Sequence, residues 1–166
     1  MDLSTHLEKV DQLISKNIIG RSPIELYEPA TYALGVGGKR IRPSIVLLGS
    51  YACGGLLEDA YTSAGAIELF HNFTLLHDDI MDNAPLRRNN ATVWKKYGQN
   101  TAILSGDAML VLGYSMLSVS PKFAQLATVF SKAALEVCEG QQLSATTKLD
   151  TKHDLFRLSG KASFNH

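Results

Sequence analysis

Residues Leu57 to Asn83, LEDAYTSAGAIELFHNFTLLHDDIMDN, decide the fold class. The stretch holds no proline and a single glycine, Gly65, so nothing in it breaks a helix. Gly54-Gly55 interrupt the chain before it. Pro85 closes it, because the residue before a proline avoids helical backbone. Small residues at 60, 64 and 66 predict close packing against a neighbouring helix.

Helical periodicity continues on both sides. Upstream, Thr5 and Glu8 have capping-box spacing, and Leu7, Val10, Leu13 or Ile14, and Ile18 extend one apolar stripe. A second start is expected at Ser22-Pro23-Ile24-Glu25, with Ser22 as cap and the proline at the first helical position. That helix should be interrupted or kinked near Pro29 and should stop in the glycines at 35, 37 and 38. Pro43 can open another, running to about Ala52. Downstream, helices fit roughly 92–98, 101–118, 122–146 and 153–163. No Asn-Gly or Asp-Gly hairpin signal lies between alternating apolar residues. The expectation is one all-α domain over residues 1–166, an antiparallel helix bundle.

Composition excludes several classes. The chain has 166 residues, 45% of them hydrophobic, enough for a core without disulfides or a structural metal. Sixteen basic residues balance sixteen acidic ones, which argues against a general grip on nucleic acid. Charged residues are 19%, below the ~25% usual for soluble domains, so a buried interface with a partner is expected. Cys53 and Cys138 lack C-x-x-C spacing, and the N-terminus lacks a signal-peptide pattern. The most apolar stretch, Ala108 to Leu117, is about half the ~20 residues that span a bilayer. A cytoplasmic protein without a membrane span is the expectation.

Two clusters carry chemistry. The first is His77-Asp78-Asp79-Ile80-Met81-Asp82, followed by Leu86-Arg87-Arg88. On a helix Asp78 and Asp82 share one face, about 6 Å apart along the axis, where like charges repel. A cation relieves that repulsion. Carboxylate oxygens suit Mg²⁺, which commonly shares its coordination with substrate phosphates, and guanidinium forks such as those of Arg87 and Arg88 bind phosphate. The bland alternative is a solvated acidic helix end beside a basic loop.

The second cluster is Gly37-Gly38-Lys39-Arg40-Ile41-Arg42-Pro43. Three cations within four positions repel unless an anion lies among them, and a helix N-terminus beginning here adds N–H donors. A phosphate-binding P-loop fails, because Arg40 stands where Ser or Thr should follow the lysine and no strand precedes it. A dinucleotide-binding glycine motif fails for want of a glycine at 40. Taken alone, a basic surface turn remains the simpler reading.

Together, and in this order, the motifs resemble those of the trans-isoprenyl diphosphate synthases, the polyprenyl synthetase family. The resemblance rests on Gly38-Lys39-Arg40 with Arg42-Pro43, on Glu68 to Asn72 leading into Leu75 to Asp82, and on Arg87-Arg88. It continues through Leu104-Ser105-Gly106-Asp107-Ala108 and Gly140-Gln141. It implies the N-terminal portion of the isoprenoid synthase fold. It also implies a prenyltransferase that joins isopentenyl diphosphate to an allylic diphosphate with Mg²⁺ as cofactor. By the same resemblance Lys39, Arg42, His71 and Arg88 hold isopentenyl diphosphate, and Arg87 holds the allylic diphosphate. Asp78 and Asp82 bind the metal with Asp79 in support, and Gln141 and Lys161 join the substrate site. Phe73 and Thr74, five and four residues before Asp78, would floor the product pocket. Phe73 resembles the bulky floor of short-chain members making farnesyl or geranylgeranyl diphosphate.

The chain also departs from the pattern. It is about half the family's length and ends at His166 without the second aspartate-rich motif. Ser144 stands where an aspartate is usual, and Lys161-Ala162-Ser163 only echoes a Lys-Thr-Ala signature. Three readings follow: a piece of a synthase with weak or no activity alone, a non-catalytic or regulatory subunit, or a diphosphate-binding remnant. The expected assembly is a homodimer, or a heteromer with a full-length synthase.

Overall fold

A computed structural model describes the backbone of residues 2–161 and the side chains of residues 2–146. The chain divides into two compact units, one running to Phe123 and the other from Ala124 onward. The first holds helices α1 (Leu3–Ile18), α2 (Ile24–Gly35), α3 (Ile41–Ala52) and α4 (Leu57–Met81). A short hairpin follows, β1 (Leu86–Arg87) and β2 (Asn90–Ala91), then α5 (Val93–Tyr97) and α6 (Gln99–Ser118). The second unit holds α7 (Phe123–Lys161) from Ala124 onward.

The centre of the first unit is α4, which packs most extensively on α6 and also on α3 and α1. Its buried residues, from Ala60 through Ala64, Gly65, Ala66 and Leu69 to Leu76, occupy several sides of the helix, as a helix enclosed by neighbours requires. Gly65 is the closest approach: a Cβ there would run into Met116 Cε of α6 and come within 3.3 Å of Ile14 Cγ1 of α1. The core is completed by Val10, Ile14 and Ile18 of α1, Leu47 of α3, and Ala102, Met109 and Met116 of α6.

Several boundaries differ from the sequence expectation. Asp2, not Thr5, caps α1: its carboxylate accepts from the Ser4 backbone N–H at 3.1 Å. Pro23 is the N-cap residue of α2, so the helix starts at Ile24, one residue later than the proline-first reading. Pro29 does not interrupt α2, which ends at Gly35, the first of the glycines expected to stop it. The proline removes one ladder bond but is fully buried, and its packing carries the helix on to Gly35. Pro43 is the third residue of α3, in the first turn, where a missing N–H costs nothing. The expected break between 146 and 153 is absent, and α7 is one helix of 39 residues. No proline or glycine lies between Gln141 and Ser159 to end it. Residues 162–163 of the expected last helix lie outside the described residues.

Helix α6 corrects the bilayer argument. At twenty residues it is long and apolar enough to cross a membrane by length and composition, because Gln99 to Ala108 extend the apolar stretch. Eight of its residues, among them Ala102, Met109 and Met116, are buried in the bundle against α4 and its neighbours. Core packing accounts for these eight, while Leu104 and Val111 of the same helix are exposed.

The hairpin was not expected. Leu86 pairs with Ala91 and Arg87 with Asn90. Arg88 and Asn89 between them both take left-handed backbone, φ 51° and 63°, the conformation a two-residue hairpin turn needs.

Candidate functional site

Two features meet near the C-terminal end of α4. The first is the carboxylate pair. The Asp82 backbone N–H donates to the Asp78 carbonyl at 2.8 Å, so the two residues stand one helical turn apart. Partial burial raises the Asp78 pKa, and the negative charges of Asp82 and then Asp79 add to the rise, while Arg87 and His77 oppose it. A second carboxylate thus makes the charged form of Asp78 less favourable, and a cation reverses that effect. Among the described residues no group of three or more His, Cys, Asp or Glu side chains could hold a metal alone. Two carboxylates nevertheless fit Mg²⁺, which keeps several waters and completes its shell with substrate phosphates.

Asp79 has a different task. It is 4% exposed, and Arg87 grips it with a fork. Nε donates to both carboxylate oxygens at 3.0 Å, and Nη2 to Oδ1 at 2.8 Å. Asp79 therefore aims Arg87, while Asp78 and Asp82 form the metal-suited pair.

The second feature is an open cavity of about 410 Å³ lined by Lys39, Arg42, His71 and Arg88, with Gly38, Arg40, Ile41 and Glu68. The lining comes from loop 36–40, the start of α3, α4 and the hairpin turn. Gly38 lets the loop and the turn meet: a Cβ there would fall 2.8 Å from Arg88 Nη1. The residues expected to share a diphosphate site are brought together here.

Arg40 points to the fold instead. Its backbone is left-handed at φ 49°. Its guanidinium donates to Asp11 at 2.9 Å, Glu68 at 3.0 Å and, more weakly, the Leu34 carbonyl at 3.4 Å. Glu68 also accepts from Asn72 Nδ2 at 3.3 Å. For this cation the balancing anions belong to the protein. The sequence signal for it was Glu68 itself, a carboxylate set between Ala66-Ile67 and Leu69-Phe70.

His71 reports the field in the cavity. Burial and the charges of Arg42, Arg88 and Arg87 push its pKa down to about 4, so it is neutral at pH 7. An anion in the cavity cancels that repulsion and raises the value, so binding takes up a proton. The gain in pyrophosphate affinity between pH 7 and 5.5 should accordingly be larger for the native chain than for His71→Gln. Calorimetry at the two pH values measures it, and equal gains would mean that His71 does not face the anion.

The remaining expected residues are spread along the helices. Phe73 meets the His77 ring edge-on at 4.7 Å and lies 5.7 Å from Phe70, at the seam of α4 and α6. A Cβ on Gly106 of α6 would come within 2.7 Å of His77 Nε2 and 3.5 Å of Phe73 Cδ2. Thr74 Oγ1 donates to the His71 carbonyl at 2.8 Å. Gln141 is exposed on α7 in the second unit. Lys161 closes α7, and its side chain lies outside the described residues.

Comparisons with known proteins agree on one family. A model of the polyprenyl synthetases matches residues 23–160. A geranylgeranyl diphosphate synthase of Methanosarcina mazei is 37% identical over 146 residues, covering 86% of this chain and 45% of its own. A short chain isoprenyl diphosphate synthase of Methanocaldococcus jannaschii is 37% identical over 140 residues, 82% of this chain and 42% of its own. Among solved structures, a geranylgeranyl pyrophosphate synthetase of Pyrococcus horikoshii superposes with TM-score 0.79 at 40% identity, over 84% of this chain and 45% of that one. The chain thus spans less than half the length of these relatives.

Proposed function

The chain belongs to the polyprenyl synthetase family, and from that premise we propose that it serves the condensation of isopentenyl diphosphate with an allylic diphosphate. The observation that carries this reading is the position of Arg87. Its charge acts both on His71 in the basic cavity and on Asp78 of the carboxylate pair, so the anion-suited cavity and the cation-suited pair adjoin.

In this reading Lys39, Arg42, His71 and Arg88 hold the diphosphate of isopentenyl diphosphate. Arg87, aimed by Asp79, contacts the allylic diphosphate, and Asp78 and Asp82 hold Mg²⁺ against it. When bound, Mg²⁺ supplies positive charge that favours pyrophosphate as a leaving group. The allylic C–O bond breaks with both electrons leaving on oxygen, and Arg87 stabilises the charge that develops there. The double bond of isopentenyl diphosphate attacks the allylic cation, and pyrophosphate takes the proton that is lost. Phe73 and Thr74 set product length, with Phe73 favouring farnesyl or geranylgeranyl diphosphate. Gln141 and Lys161 are assigned to the substrates by resemblance alone. Assembly with a second copy or a full-length synthase belongs to the same proposal, supported by the exposed apolar stripe Ile41, Ile45, Leu48 and Tyr51 on α3.

Arg42→Ala removes one charge-assisted contact, typically ~1.5–3 kcal/mol, and should weaken binding of isopentenyl diphosphate about 10- to 150-fold. Calorimetry on the 166-residue chain measures this. Equal affinity in the variant would reduce the cavity to a basic surface turn. A second reading, binding without turnover, is favoured because Arg87 engages Asp79, and no group of three His, Cys, Asp or Glu side chains able to hold a metal is found among the described residues. Pyrophosphate release from an allylic diphosphate by the pure chain distinguishes the two.

A further inference from the structure

Arg87 and Arg88 sit on a hairpin of only two residue pairs, and a two-stranded hairpin of that size has little stability of its own. Its position is set by side chains from α2 and from the segment that follows it. At its base the Ala84 carbonyl accepts two bonds, from Thr92 Oγ1 at 2.8 Å and Trp94 Nε1 at 2.8 Å. On its second strand the Ala91 carbonyl accepts from Tyr32 Oη of α2 at 2.8 Å. The Tyr32 ring is itself held, edge-on to Tyr97 at 5.6 Å and under Lys96 Nζ at 3.8 Å. Neither Tyr32 nor Trp94 lines the basic cavity. We infer that Tyr32 and Trp94 are positioning residues, whose hydrogen bonds to the base of the hairpin, at Ala91 and Ala84, hold Arg88 against Gly38 and so shape the anion site.

This inference rests on the functional reading above, and one experiment separates the two. Tyr32→Phe and Trp94→Phe each delete one hydrogen-bond donor and keep an aromatic ring. Pyrophosphate affinity of the 166-residue chain is measured by calorimetry for each, alone and combined with Arg88→Ala or Lys39→Ala. Each phenylalanine variant should weaken binding about two- to tenfold. That loss should shrink towards nothing in the Arg88→Ala background, where the remaining hairpin guanidinium, Arg87, is held separately by Asp79, and persist beside Lys39→Ala, a cavity cation outside the hairpin. A purely structural role would lower affinity equally in both backgrounds and would overturn the inference. So would an unchanged affinity in both phenylalanine variants, or an Arg88→Ala variant that binds as well as the native chain. In all these cases the functional reading stands as long as Arg42→Ala still weakens binding. If the native chain binds no pyrophosphate, the functional reading and the inference fall together.

Discussion

Arg40→Met should destabilise the first unit by about 3–5 kcal/mol, because it strands a buried charge. The Arg40 side chain is 16% exposed and that of Glu68 only 6%, and their contact is 3.0 Å. With the guanidinium gone, Glu68 keeps Asn72 as a hydrogen-bond partner but loses its counter-ion. Asp11 matters less: its side chain is 43% exposed, and water replaces much of what Arg40 provides. Methionine fills similar space and, like arginine, is a non-glycine residue at a left-handed position, so the measured loss reports the ion pair and not the backbone. Arg40→Lys should recover only part of the loss, since one ammonium cannot reproduce a fork reaching two carboxylates and a carbonyl. Adding Glu68→Gln to Arg40→Met should recover most of it. Urea denaturation midpoints test all three. A loss under about 1 kcal/mol for Arg40→Met, the range of an exposed pair, would return Arg40 to the pool of cations available to a ligand.

That arginine also marks where sequence reasoning stopped. Local pattern was enough for α4: with no breaker between Leu57 and Met81, and glycines just before it, the helix had clear limits on both sides. It was enough to place Asp78 and Asp82 on one face, because that follows from helix geometry. The next residue round the helix, Asp79, lies about 100° away. It therefore turns from the pair towards Arg87, but the depth of its burial depends on neighbours that no local pattern names. The hairpin was hidden for a related reason. Arg88-Asn89 carries no glycine, and the side-chain hydrogen bonds at the hairpin's base come from Tyr32, Thr92 and Trp94, one of them 59 residues from its partner. The cation cluster at 39–42 required an anion on electrostatic grounds. Only the tertiary structure divided it into one arginine neutralised by Asp11 and Glu68 and two cations facing a cavity.

Asp82→Asn should move stability and function in opposite directions. Without Mg²⁺, the native pair repels across one helical turn, and Asp82 is the second cause, after burial, of the raised Asp78 pKa. A carboxyl whose folded pKa lies above its unfolded value stabilises the fold only while protonated, and that contribution is lost as pH rises through the folded pKa. At pH 7 the pair is therefore a cost, and neutralising Asp82 should stabilise the metal-free chain by about 0.2–0.5 kcal/mol. With Mg²⁺ the balance reverses. The carboxylate pair is what suits this site to the ion, and one carboxylate beside an amide holds it more weakly. Mg²⁺ should therefore raise the pyrophosphate affinity of the native chain, and that rise should disappear in the variant. Wherever prenyl transfer is measured, loss of one charge-stabilising contact should slow it about 10²–10³-fold. Thermal unfolding without metal, paired with calorimetry with and without Mg²⁺, reads both signs on one protein preparation. A solvated acidic helix end predicts the small stabilisation but no change in the Mg²⁺ dependence of binding, and that outcome would remove Asp78 and Asp82 from the site.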